Sequence, residues 1–126
     1  MVLDARRGDG PAGAFDYTMA AVAATDELIS AQPQAGAAAV RAIVKAQAAL
    51  RQDVELAREV GRKLFPASEA DLIADIVRRD LPYYDAAITP AFVAAMTQFS
   101  RDVGILAGHP SYEDVVATQF SDLWKA

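Results

Sequence analysis

The sequence predicts a mostly helical α+β chain, with one or two short N-terminal strands followed by about six helices. Three observations carry this expectation. Residues 15–24 alternate with a period of two. After Thr25 the apolar residues recur at helical spacing. Prolines and capping residues then cut that region into separate helices.

The strand prediction rests on Phe15, Tyr17, Met19, Ala21 and Ala23, which alternate with Asp16, Thr18, Ala20 and Val22. Aromatics and Thr favour extended backbone, whereas the alanines are poor strand formers. The second half is apolar on both faces, as in a strand buried within a sheet. Val2 to Ala5 is a second candidate. Between them the glycine-rich turn Gly8-Asp9-Gly10-Pro11-Ala12-Gly13 reads as a reversal or hinge. The expected organisation is one partial domain over 1–126: a strand and hinge segment at 1–14, a strand at 15–24 and a helical region at 25–126.

Thr25 is a good N-cap, with Asp26 and Glu27 suited to the first turn. That helix stops before Pro33. The next carries Val40, Ile43, Val44, Gln47 and Leu50 on one face, with Arg41 and Lys45 turned away. Asp53 can cap a third helix, which bears Leu56, Val60 and Leu64 and ends at Pro66. Ser68, with Asp71 three residues on, predicts a capping-box start for a fourth, whose buried stripe would be Leu72, Ile73, Ile76 and Val77. Pro82 stops it. Thr89-Pro90 is an N-cap followed by proline at the first helical position. Phe92, Val93, Met96, Phe99 and Val103 line the following face, and Gly104 is placed to end it. Ser111 and Asp114 open a last short helix holding Val115, Val116, Phe120, Leu123 and Trp124.

The chain has 126 residues, of which 53% are hydrophobic and 23% charged, as in a folded domain rather than a disordered one. Alanine inflates the apolar share, so the helices can approach closely or have their larger neighbours elsewhere. Net charge is −5, and the 12 basic residues are spread thinly, which argues against nucleic acid and membrane-surface partners. No cysteine is present, which excludes disulfides and thiolate chemistry. No apolar run reaches the roughly 20 residues of a membrane span. Asp4, Arg6, Arg7 and Asp9 interrupt the place where an export signal would have its apolar stretch.

Arg6-Arg7-Gly8-Asp9-Gly10-Pro11 is the strongest candidate for ligand contact. Two guanidinium groups beside a glycine-rich turn can hold a carboxylate, sulfonate or phosphate. The competing reading is a hinge with solvated charges, or structural ion pairs to Asp4 and Asp9. With Tyr17, the ligand-binding candidates are Arg6, Arg7 and Asp9. No catalytic residue, metal ligand or cofactor is expected. His109 reads as a solvent-exposed loop residue, Tyr83-Tyr84-Asp85 as a packing pair of tyrosines, and Trp124 as a clasp for the last helix. Glu55, Glu59, Arg62 and Lys63 read as a solvated helix face.

Arg6-Arg7-Gly8-Asp9-Gly10-Pro11, Gly61-Arg62-Lys63-Leu64-Phe65-Pro66, Arg78-Arg79-Asp80-Leu81-Pro82-Tyr83-Tyr84-Asp85 and Tyr112-Glu113-Asp114-Val115-Val116-Ala117-Thr118 together resemble the C-terminal part of a periplasmic solute-binding protein of an ABC importer. The class is the one that captures nitrate, sulfonates, taurine and thiamine precursors. The resemblance implies the C-terminal portion of a type II periplasmic binding protein, in which the N-terminal strand joins another lobe's sheet. It implies a non-enzymatic role: capture of a small organic anion or thiamine-precursor-like solute for an ABC permease. It implies a periplasmic or extracellular place for the full-length family, and a cytoplasmic one if Met1 is the native start. An unpaired strand also predicts a homo-oligomer formed through it. The alternative is a truncated helical oligomerisation or interaction module without transport activity.

Overall fold

A computed structural model describes Asp4, residues 7–10 and residues 20–125. Among these residues six α-helices follow one another: α1 (Asp26–Ala31), α2 (Pro33–Gln52), α3 (Glu55–Leu64), α4 (Ala67–Asp80), α5 (Pro90–Asp102) and α6 (Tyr112–Val115). A 3-10 turn at Leu81–Tyr83 extends α4, and a 3-10 helix at Thr118–Trp124 closes the chain.

Among the described residues there is no strand, which corrects the expected α+β architecture. The mixed fold of a type II periplasmic binding protein is therefore not what these residues form. Residues 20–24 are exposed coil. They are four alanines and a valine, too small to gain much from a pleated surface, and no described strand offers them a ladder. Phe15, Tyr17 and Met19 lie outside the described residues, as do Val2, Leu3 and Ala5. Asp4 belongs to a turn, its carbonyl accepting the Arg7 and Asp9 amides at 3.0 and 3.3 Å. Oligomerisation through a strand thus has no described strand to act through.

The local punctuation is as the sequence predicts at most helix ends. The Thr25 hydroxyl accepts the Leu28 amide at 3.2 Å, and Thr89 accepts that of Phe92 at 3.2 Å. Gly104 follows α5 at φ +76°, a conformation glycine takes without a Cβ penalty. Ser111 and Asp114 form the reciprocal capping box. Ser68, by contrast, lies inside α4. The helix starts two residues earlier than a Ser68 cap implies because the Pro66 carbonyl already accepts the Glu69 and Ala70 amides, both at 3.0 Å. The last predicted helix breaks at Val116 and Ala117 and resumes as the 3-10 segment.

The core is thin. Among the described residues seven apolar ones are buried, and three of them are alanines: Ala37, Ala70 and Ala74. Thirteen large apolar side chains among the described residues are exposed. The tightest pairing is α3 on α4, where Gly61 meets Ala70. This splits the expected stripe of α4: Ala70 and Ala74 face inward with Ile73 and Val77 half-buried, while Leu72 is 60% and Ile76 40% exposed. Small residues bring the two backbones together, and Leu72 falls on the opposite face because 200° of helical rotation separates 70 from 72. The second packing unit is α2 against the closing 3-10 helix, where the Phe120 ring rests against Gly36. Packing of α5 is chiefly against α6.

Candidate functional site

The predicted ligand residues divide between described and undescribed positions. Arg6 and Tyr17 lie outside the described residues. Arg7 and Asp9 sit on the turn at 7–10, where Gly8 and Gly10 take φ of +84° and +140°. The Arg7 guanidinium lies 3.6 Å from the Asp4 carboxylate and 3.3 Å from that of Asp9. Two carboxylates thus face one described guanidinium. This arrangement matches the ion-pair alternative. These pairs are solvent-exposed, so each contributes at most about 1 kcal/mol.

Three further segments flagged in the sequence take bland positions. Tyr84 is half-buried, and its carbonyl accepts Arg51 Nη2 at 2.6 Å, tying the segment after α4 to the end of α2. Tyr83 is exposed, and Asp85 caps its own turn by accepting the Ala87 amide at 2.9 Å. His109 is exposed and in contact with Arg101, beside a shallow hollow walled by Pro90, Val93 and Tyr112. Trp124 lies half-buried on the closing 3-10 helix.

Sequence reasoning missed the ion-pair network between α3 and α4. Arg58 is its centre, reaching Glu55 on its own helix and Asp71 on α4 at 2.9 Å. Arg78 returns from α4 to Glu55 and also pairs with Asp75 at 2.6 Å. Arg62 lies 3.5 Å from Asp71. Two of the residues read as a solvated face, Glu55 and Arg62, therefore line the seam between two helices. The signal was present as basic residues at 58 and 62 and acidic ones at 71 and 75, each set at i,i+4 spacing on its helix. Among the described residues, no three His, Asp or Glu side chains converge as metal ligands would.

No protein-family model, curated protein or solved structure matches the chain.

The Asp114 carboxyl is held below its ordinary range because the Ser111 amide donates to it at 2.8 Å, and the Ser111 side chain adds to the effect. The group caps α6 and has no catalytic partner. What the described surface offers instead is apolar area. Val60 and Leu64 share one face of α3, Leu72 and Ile76 one face of α4, and Phe65 joins the two helices, all exposed. No described helix is long and apolar enough to cross a membrane.

Proposed function

We propose that this chain is the C-terminal helical portion of the solute-binding component of an ABC importer for a small organic anion such as a sulfonate, or for a thiamine-precursor-like solute. The four sequence segments that resemble such proteins support this reading. The structural observation that carries it is the inverted packing, with alanine and glycine inside and Leu64, Phe65, Leu72 and Ile76 outside. Such a surface is made to be covered by more protein. In this role the chain binds and positions rather than reacts, and it works outside the cytoplasm beside an ABC permease.

A second reading rests on the same surface: a helical interaction module that associates with its own copies and transports nothing. Photo-crosslinking from a benzoylphenylalanine placed at Leu72 in cells separates the two. Crosslinks within a polypeptide that contains this sequence and binds a sulfonate support the importer role. Crosslinks only between identical copies support the module. A Leu72 position that crosslinks to nothing removes the basis of both.

A further inference from the structure

The cleft between α2 and the closing 3-10 helix combines an apolar floor with a cationic rim. Its floor is apolar, formed by Val44, Ala48 and Leu123. Arg41, Lys45 and Lys125 stand around it, and Asp122 is the only acidic side chain lining it. The volume is about 390 Å³, within the range of sites for small molecules.

The state of these cations is the decisive observation. Arg7, Arg58, Arg62, Arg78 and Arg79 each lie against a carboxylate. Arg51 is used by the Tyr84 carbonyl and Arg101 by Gln98 and His109. Among the described residues, the basic side chains with no hydrogen bond or ion pair are Arg41, Lys45, Lys63 and Lys125. Three of these four surround this one cleft. Arg41 and Lys45 stand at i,i+4 on α2, a like-charge pair that disfavours the helix unless an anion lies between them. In a chain of net charge −5, a cleft bearing three cations and one carboxylate is a local reversal of sign.

We propose that this cleft binds an amphiphilic organic anion, with its acidic head between Arg41, Lys45 and Lys125 and its apolar body on Val44, Ala48 and Leu123. Guanidinium and ammonium groups supply charge-assisted hydrogen bonds to a sulfonate or carboxylate. The apolar floor distinguishes such a ligand from inorganic anions, which gain nothing from it. The cleft is separate from the turn at 7–10 and stands independently of the importer reading.

The test is an amide NMR titration of the full chain with naphthalenesulfonate, compared with naphthylmethanol as the body alone and methanesulfonate as the head alone. The expected result is saturable shifts confined to residues 41–48 and 122–125, strongest for the complete ligand. Arg41→Gln and Lys45→Gln should each weaken binding by about three- to fivefold, the range of an exposed charge contact. Lys63→Gln, which changes an unpaired cation elsewhere, should leave it unchanged. All three positions are exposed, and circular dichroism of each variant checks the fold. Non-saturating or scattered shifts, equal binding of naphthylmethanol, or equal loss in Lys63→Gln would overturn the proposal.

Discussion

Gly61 of α3 lies directly on Ala70 of α4: a methyl group built on Gly61 would stand 3.2 Å from the Ala70 Cβ and 3.4 Å from its Cα. Both residues are buried, and Ala70 is entirely hidden from solvent. The helices are as close as they are because neither side chain keeps them apart. Gly61→Val should therefore separate the pair and cost about 1–3 kcal/mol, the usual range for overpacking a tight contact. Urea unfolding followed by far-ultraviolet circular dichroism measures it. A variant as stable as the parent would mean that the contact is loose.

Arg58 holds the same seam from its polar side. Its side chain is 25% exposed, less than that of any other arginine in the network. Arg58→Ala should cost about 1 kcal/mol, combining lost pairing with lost packing of its stem. Arg62→Ala, at a 59% exposed side chain, should cost under about 0.5 kcal/mol. A double-mutant cycle of Arg58 with Asp71 isolates the pair, and a coupling near zero would count against this ranking.

Phe120 is the largest buried side chain, and its Cζ lies 2.9 Å from where a Gly36 Cβ would be. Phe120→Ala should release the closing 3-10 helix from α2 at a cost of about 3 kcal/mol. Trp124 lies on the same 3-10 helix and reports the event. Its fluorescence should shift to the red while the α3–α4 helices persist. Loss of all helicity together would instead make Phe120 the keystone of the whole chain.

The Asp114 carboxyl has a folded-state pKa below its unfolded value, because the charged form accepts hydrogen bonds from Ser111. A depressed carboxylate contributes stability above the unfolded pKa of about 3.9, and that contribution is lost as pH falls through the folded value. The capping box of α6 should thus survive to a pH below the ordinary Asp range. A carboxyl-carbon NMR titration would show Asp114 titrating lower than in Asp114-containing peptides of the same sequence. Ser111→Ala should return it toward the ordinary value.

Much of the helical punctuation was legible because capping is local. Thr25, Thr89 with Pro90, Gly104, and Ser111 with Asp114 each act within four residues of chain. Ser68 failed as a cap because a neighbour, Pro66, supplied the first acceptor. The faces were harder to read. Periodicity shows that α4 has an apolar stripe at Leu72, Ile73, Ile76 and Val77, but it does not show which half of the stripe is covered. The small-residue ridge at Ala70 and Ala74 won the inward place because Gly61 could meet it backbone to backbone. The strand at 15–24 was read from alternation with aromatics and Thr; its described part, 20–24, is coil, and a strand exists only with a partner. At the turn, Arg7 had Asp4 and Asp9 within reach in sequence, so the ion-pair alternative was visible beforehand. The cationic cleft was not, because Lys125 is far along the chain from Arg41 and Lys45.

The Tyr112 hydroxyl donates to the Ile88 carbonyl at 2.5 Å, fastening the start of α6 to the residue just ahead of the α5 cap. This staple turns residues 88–112 into a closed loop around α5, which packs chiefly on α6. Such a loop can detach and return as one unit while the α3–α4 seam stays shut. The chain would then have two melting events rather than one, and a single free energy of unfolding would describe neither.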